Sequence, residues 1–437
     1  MFKNVILITI DSLRADHLRP YGYYIETPNI DELASQGILF RNAYANSPGT
    51  PSSFQAILTS TYPMMYGGYG KMSKHRPYLP SILKSCIDNI YTIGITSNPY
   101  LSHYYGYNRG FDYFYDGFQD EHTSTLISRG LKFLKHLLEP SPYVVGSTLN
   151  EIAKKQLLKA KTKRFFLWIH YMDVHFPYFY KSKLRNLVFH RKIHKLNSLI
   201  LDVIYDKTNS VDENTLRDLI YLYDEGIQRV DEYIGDLISF LKKNDLLDDT
   251  LLILVSDHGD EFMEHGGLAH TPKLYNELLH IPLIISNPSL KKQKCRKVVD
   301  QLDIVPTISK ALGCPISPKW LGNPLFDQNK IDSKMKEKVV ISEVANTSIS
   351  DKISLDEWRV SILKGKWKLH YYHKTKSIEL YDTSRDPQEK MNIASKFDNI
   401  SGSLLKTIKD YMKFAKSTWD DEKLKKAIKN LKLKGKI

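Results

Sequence analysis

Short, wholly apolar runs bounded by turn residues alternate along this chain with stretches whose apolar positions recur at helical spacing. Residues 5–10, 91–96, 165–170, 251–255 and 281–285 carry the first pattern and predict buried strands. Residues 29–36, 52–58 and 222–243 carry the second; in the last, Ile227, Val230, Ile234, Leu237, Ile238 and Leu241 share one helical face. Strands apolar on both faces and separated by helices imply an α/β fold, a mostly parallel sheet covered by helices on both sides. Near residue 355 the texture changes. Residues 358–363, 366–372 and 377–380 are short and β-rich, and a helical pattern follows over 400–416. The expectation is a large α/β domain over residues 1–350 and a small α+β domain, an antiparallel sheet with a helix and a basic tail, over 351–437. Residues 181–210 are basic, fit no single period and read as an insertion near the entrance of a site.

Composition narrows the class. With 42% hydrophobic and 25% charged residues in 437, the chain has the balance of a folded protein. Its +13 formal charge is uneven: residues 422–437 hold seven lysines and one Glu, the mark of a solvated helix end. Without aromatic interleaving or a nucleic-acid motif, no nucleic-acid partner is expected. No apolar run approaches the roughly 18 residues of a membrane span. The first residues lack a small-residue cleavage site, so the expected location is cytoplasmic. Cys86, Cys295 and Cys314 form no C-x-x-C pair, so neither a disulfide framework nor thiolate zinc is expected. Oligomeric state is not legible.

Candidate chemistry lies just past the carboxyl ends of two apolar runs, where open α/β sheets collect functional groups. Asp11 follows the first, and Asp257-His258 follows the run 251–255. Asp11 at a buried strand end serves either as a helix N-cap or as one oxygen ligand for a cation. Adjacent Asp257 and His258 offer one oxygen and one nitrogen ligand to a divalent metal. A third element, residues 46–60, builds a Pro/Gly turn into an apolar helix. There Thr50 is either a cap or a nucleophile at a helix N-terminus, where backbone N–H groups favour an anion.

Here the residues match a family. Residues 27–37 (TPNIDELASQG) with Phe40 and Ala43, the turn Arg109-Gly110-Phe111-Asp112, and residues 249–259 occur in order. Leu274-Tyr275-Asn276-Glu277, Ile281-Pro282-Leu283-Ile284, residues 303–307 and the late Leu380-Tyr381-Asp382 with Asp386-Pro387, Glu389 and Asn392 complete the pattern. Over nearly its whole length the chain resembles the sulfatase family of the alkaline phosphatase superfamily. That resemblance implies an alkaline-phosphatase-like fold, with Asp11, Thr50, Asp257 and His258 as metal ligands and Thr50 in the nucleophile position. Within residues 170–177 (HYMDVHFP) it makes His175 a holder of the transferred anion, with Asp173 and His170 beside it. His270 and Lys273 are alternatives for the place of an anion-binding lysine, and Arg14 is a candidate to support Thr50 or the anion.

Two departures from the family pattern change the chemistry. A second aspartate that many sulfatases carry is here Ser12, a weak ligand. The family's C/S-x-P-x-R sequence is replaced by Thr50-Pro51-Ser52-Ser53-Phe54, and a threonine cannot give the formylglycine aldehyde, so formylglycine is not expected. The implied cofactor is a divalent metal, Ca²⁺, Mg²⁺ or Mn²⁺ from the oxygen-rich set, or Zn²⁺ through the single His. Convergence of Asp173, His175 and His270 would instead form a second metal site. The expected activity is hydrolysis of a sulfate or phosphate ester of a small molecule or glycan, Thr50 favouring phosphate. Phosphodiester cleavage, transfer of a phosphoryl head group on a glycan or lipid, and a catalytically idle binding protein stand as alternatives.

Overall fold

The computed structural model describes residues 2–117, 143–208, 210–327, 330–331, 338–345 and 354–433. Among the described residues, ten strands precede residue 301: β1 (Asn4–Ile10), β2 (Ile38–Tyr44), β3 (Tyr91–Ile95), β4 (Tyr113–Tyr115), β5 (Phe165–Tyr171), β6 (Thr250–Ser256), β7 (Glu261–Phe262), β8 (Leu268–Ala269), β9 (His280–Ser286) and β10 (Gln293–Asp300). Eight of them form one sheet in the order β10-β2-β9-β6-β1-β5-β3-β4, while β7 and β8 make a small separate hairpin. Only β9 runs antiparallel to its neighbours β2 and β6. Each apolar run singled out above is a strand of this sheet, within two residues at either end. The unforeseen β2 and β10 carry polar side chains over half their length, which hides a strand from a search for apolar runs.

Alternation along β1 explains why such strands are apolar throughout. Val5 and Leu7 enter the core on one face; Ile6, Ile8 and Ile10 enter the core on the other. The first core is closed by α2 (Thr50–Thr59), α3 (Leu79–Cys86) and the Ile304–Ala311 helix. The second is closed by α1 (Pro28–Gln36) and the Gly146–Ala160 and Glu213–Lys243 helices. In the longest of these, Ile227, Val230, Ile234, Leu237 and Leu241 are buried, as their spacing requires. No disulfide framework was expected, and one disulfide joins Cys86 at the end of α3 to Cys314, with Cα atoms 6.0 Å apart. Cys295 is free and buried.

Beyond the two-residue strands β11 (Phe326–Asp327) and β12 (Lys330–Ile331), a second sheet runs β13 (Val339–Val344), β14 (Arg359–Lys364), β15 (Trp367–Tyr372) and β16 (Ile378–Asp382) in simple antiparallel order. Its first strand lies ahead of residue 351, so the small domain begins earlier than the change of texture indicated. The sequence Val-Val-Ile-Ser-Glu-Val is nearly as apolar as the large domain's strands, and its pairing with β14, not its composition, assigns it. The Asp398–Leu433 helix covers this sheet and extends well past the predicted 416. Side chains of the basic tail lie outside the described residues, as does the predicted boundary at 350–351.

Glu343 on β13 ties the two domains together. Its backbone N–H donates to Asn46 O (2.9 Å) and its carbonyl accepts from Ser47 Oγ (2.7 Å), in the turn that leads into α2. Its fully buried carboxylate accepts from the Met64 N–H (2.8 Å), the Tyr411 hydroxyl (2.6 Å) and the Trp358 indole N–H (2.8 Å). Removing the acceptor strands three buried donors, each costing about 1–3 kcal/mol. Glu343→Ala is therefore expected to lower unfolding stability by on the order of 3 kcal/mol or more, read from the urea midpoint.

Candidate active site

Four adjacent parallel strands, β6, β1, β5 and β3, end side by side, and each delivers polar groups at or just past its carboxyl end. These are Asp257-His258 after β6, Asp11 after β1, His170 on β5, and Asn98 three residues after β3. From the opposite side α2 brings Thr50, its first residue, after an extended Gly49 N-cap. Thr50 Oγ1 lies 3.2 Å from Asp11 Oδ2 and 3.2 Å from His258 Nε2. Three stretches of chain some 40 and 200 residues apart thus meet at one hydroxyl.

The turn after β1 is held in shape by β6. Ser12 adopts a left-handed backbone conformation (φ 59°), which a serine enters only when its surroundings over-determine it. Its N–H donates to Asp257 Oδ1 (3.1 Å), and the next N–H, of Leu13, donates to Ser256 Oγ (2.9 Å). Ser12 Oγ donates to Asp11 Oδ1 at 3.0 Å, so the residue that replaces an aspartate buttresses a ligand candidate. Gln301 closes the other side, donating to the carbonyls of Ser256 (3.1 Å) and Asp257 (2.6 Å).

Asp11, Asp257 and His258 are fully buried. Asp11 Oδ2 accepts from Asn98 Nδ2 (3.0 Å) and faces His170 Nε2 (3.2 Å). His170 Nδ1 meets Thr9 Oγ1 at 3.0 Å. Burial opposes the Asp11 charge, but interaction with the imidazoles of His175, His170 and His258, His170 through a hydrogen bond, holds its pKa well below the ordinary value. Burial and then the Asp11 charge push Asp257 upward. Asp257 Oδ2 has no hydrogen-bond partner, although no water reaches it. His258 donates through Nδ1 to the Gly259 carbonyl (2.9 Å), which leaves an Nε2 lone pair facing the carboxylates. Burial, reinforced by the charge of His270, lowers its pKa to about 4, so the ring is neutral at neutral pH.

A file of imidazoles leads outward. The ring centroids of His258 and His270 are 4.7 Å apart, and those of His270 and His175 are 4.9 Å apart. His270 Nδ1 sits 3.4 Å from Asp260 Oδ1; although burial opposes the cation, the Asp260 hydrogen bond and charge raise its pKa. Asp260 is itself held by the Tyr178 hydroxyl (2.8 Å). His175 Nδ1 lies 3.0 Å from the Tyr143 hydroxyl and against its own Phe176 carbonyl. In both rings Nδ1 is occupied by these partners.

Three sequence candidates are committed elsewhere. Arg14 forks onto Asp16 (2.9 and 2.8 Å), reaches Glu264 (2.6 Å) and donates to Asp260 O (3.0 Å). Asp173 accepts the Gly146 N–H at the start of a helix (3.0 Å) and lies 3.5 Å from Arg229, so it does not converge with His175 and His270 on a second metal site. Lys273 donates to both oxygens of buried Glu261 (2.9 and 3.0 Å) and to His265 O (2.6 Å). Between the two alternatives of spacing, His270 is the residue that joins the site. Asn98 and Asp260 were not foreseen; the strand-end rule that found Asp11 would have found Asn98, had β3 been read through its turn.

Could these residues hold a metal? Two buried carboxylates, a hydroxyl and a neutral imidazole nitrogen face one another, one carboxylate oxygen is unpartnered, and no Lys or Arg contacts either carboxylate among the described residues. Asp11, His170 and Asp257 also offer ligand atoms all within 4.8 Å of one another, as do His258, Asp260 and His270. The donor set fits a divalent cation.

The fold is that of solved structures described as a 2-O GAG sulfatase and a phosphonate monoester hydrolase. A family profile described as Sulfatase matches residues 3–314, and one described as N-sulphoglucosamine sulphohydrolase, C-terminal, matches residues 264–414. The chain belongs to the sulfatase family, a family of ester hydrolases. A protein named Sulfatase from Formosa agariphila is 23% identical over 96% of this chain and 88% of its own. Arylsulfatase K of Mus musculus is 28% identical, over 48% of this chain and 39% of its own length. The chain thus matches well under half of that relative. Among solved structures, phosphonate monoester hydrolase of Agrobacterium radiobacter superposes with a TM-score of 0.76 at 18% identity, covering 94% of this chain and 96% of that one. A protein solved with its substrate D-glucosamine-2-N,6-O-disulfate gives 0.72 at 17% identity, covering 95% and 99%.

Because Lys273 is spent on Glu261 and not on the pocket, Lys273→Met is expected to lower the melting temperature by several degrees. It should leave KM for an ester substrate within about twofold, whereas His270→Ala should raise KM or lower kcat by on the order of 10²-fold. Steady-state kinetics beside a thermal melt separates the two.

Proposed function

We propose that the protein is a metal-dependent hydrolase of sulfate or phosphate esters in which Thr50 is the nucleophile. The observation that carries this reading is the position of Thr50 Oγ1, 3.2 Å from both Asp11 Oδ2 and His258 Nε2. Asp11, Thr50, Asp257 and His258 would hold a divalent cation. When bound, that cation lowers the pKa of the hydroxyl and offsets charge on the nonbridging oxygens of the ester.

The chain's own residues supply the rest. Asp11 Oδ2 accepts the hydroxyl's hydrogen bond, which turns the remaining Oγ1 lone pairs toward an incoming ester. As the hydroxyl proton passes to Asp11 Oδ2, attack forms an Oγ1–P or Oγ1–S bond and breaks the bond to the leaving alcohol. His270 and His175, each fixed through Nδ1, present Nε2 to the anion's oxygens and to the leaving oxygen, which needs a proton. Water then attacks the same central atom, breaks the bond to Thr50 and restores the hydroxyl.

Between the two anions, the side chain itself favours phosphate. A hydrated aldehyde can expel sulfate by collapsing on its second hydroxyl, and a threonine has none, so its adduct is cleared only by attack at sulfur or phosphorus. A relative named Sulfatase and a structural neighbour named phosphonate monoester hydrolase support keeping both kinds of anion in this reading. Cleavage of a phosphate diester is the second reading, favoured by the same threonine.

Thr50→Ala is expected to reduce turnover by on the order of 10³-fold or more while metal content, read by elemental analysis, stays at the wild-type level. Asp257→Asn should lose both metal and turnover, and a chelator should do the same reversibly. Full activity in Thr50→Ala would remove the nucleophile assignment. Comparing p-nitrophenyl phosphate, bis-p-nitrophenyl phosphate and p-nitrophenyl sulfate decides the ester; absence of metal and of turnover on all three would identify an idle binding protein.

A further inference from the structure

The basic insertion folds as two helices, Lys183–Val188 and His190–Ile204, that meet in a corner at Phe189. The second helix spends its apolar face inward, burying Ile193, Leu196, Ile200 and Val203 in the core. The corner itself points outward. Leu184, Leu187, Val188 and Phe189 are 69%, 54%, 65% and 43% exposed, a contiguous apolar stretch of a kind soluble surfaces rarely carry without use. Around it, residues 181–201 contain six Lys and Arg and no Asp or Glu. Lys181, Arg185 and Lys192 are paired with acids of the Glu213–Lys243 helix, at 2.6, 3.4 and 2.8 Å. Arg191 and Lys195 are exposed and make no ion pair among the described residues.

We propose that this corner docks the protein on an anionic lipid bilayer, with the four apolar side chains entering the headgroup layer and the cations resting on lipid phosphates. Apolar side chains flanked by Lys and Arg at the apex of a helical corner satisfy both demands of an interfacial site. Charge complementarity selects this occupant. A second copy of the chain would set the same exposed cations, Arg191 and Lys195, against themselves across a twofold axis, which like charges oppose. A soluble polyanion would meet the cations but gain nothing from Leu187 or Val188.

The corner is also coupled to the site. Asn197 clasps the backbone of Tyr178, accepting its N–H (2.7 Å) and donating to its carbonyl (2.8 Å). The Tyr178 hydroxyl in turn holds Asp260, the partner of His270. A docked molecule therefore keeps its imidazole file a short span of chain from the bilayer surface. If the hydrolase reading holds, the substrate class is an ester on a lipid head group; the docking itself does not depend on that reading.

The test is flotation of the full chain with vesicles of phosphatidylglycerol and phosphatidylcholine, against phosphatidylcholine alone. Wild type should bind the anionic vesicles at least tenfold more tightly, with added salt weakening the binding. Leu187→Asp with Val188→Asp, and separately Arg191→Glu with Lys195→Glu, should each weaken binding about tenfold or more. Both pairs should keep the wild-type thermal melt and wild-type rates on soluble nitrophenyl esters. Equal affinity for neutral vesicles, no vesicle binding, or undiminished binding in the Leu187/Val188 variant would overturn the proposal. So would a wild-type dimer that the same variant dissolves, or binding confined to a soluble polyanion such as heparin. Docking without ester turnover would overturn the catalytic reading alone.

Discussion

Two carboxylates buried side by side, Asp11 and Asp257, set the terms for everything around them. Their ligand atoms lie within 4.8 Å, where like charges repel by roughly 3–4 kcal/mol even at an effective dielectric near 20. No Lys or Arg contacts either group among the described residues, so the fold answers them with hydrogen bonds. Asn98 and His170 serve Asp11, and the Ser12 and His258 N–H groups serve Asp257. These donors come from four neighbouring strand ends and a left-handed turn, which means the central sheet must be correctly ordered before the pair can be tolerated. One oxygen, Asp257 Oδ2, is still unanswered. A site that concentrates carboxylates at such cost and leaves one oxygen open offers the donors that a divalent cation would take.

The same pair explains what the sequence disclosed and what it concealed. Strands buried on both faces announce themselves as apolar runs, and a carboxylate immediately past such a run is conspicuous, so Asp11 and Asp257-His258 were legible. Thr50 was legible because Pro and Gly mark the turn that delivers it. By contrast β2 and β10 pair with each other near the edge of the sheet, where exposed positions are polar, and their pattern dissolves. Likewise β13 looked like part of the large domain because composition cannot say which sheet an apolar strand joins. At the site, proximity in sequence misled. Arg14 and Asp173 stand three and two residues from Asp11 and His175, yet Arg14 is taken by Asp16, two residues on, and by the distant Glu264, and Asp173 lies beside the distant Arg229. Spacing left His270 and Lys273 equal; Glu261, buried and in need of a cation, decided between them.

Substituting threonine for an oxidisable cysteine also reshapes the neighbourhood. Phe54 occupies the place where the family pattern carries arginine, and its ring edge packs on His170 with centroids 5.0 Å apart. That packing fixes the ring whose Nε2 supports Asp11, so the substitution trades a charge near the nucleophile for rigidity beneath a carboxylate. Ser12 makes the matching change on the other side, replacing a third carboxylate with a hydroxyl that braces Asp11. The two departures are consistent with each other: one positive and one negative charge are absent together.

It follows that permanent positive charge is scarce where an ester dianion or monoanion would sit. Among the described residues, Arg14, Arg229 and Lys273 are each held by carboxylates. What remains facing the pocket is imidazole: His175 and His270, beyond His258. Under the proposed reading, such a pocket would bind its anion through a bound cation and directional N–H groups more than through a field of fixed charges. It would therefore attract bulk anions weakly and select among esters by geometry. A weak long-range field at the site would suit an enzyme that carries a basic surface elsewhere, as on the corner at Phe189, because the surface that recruits the substrate's surroundings need not be the surface that holds the reacting group.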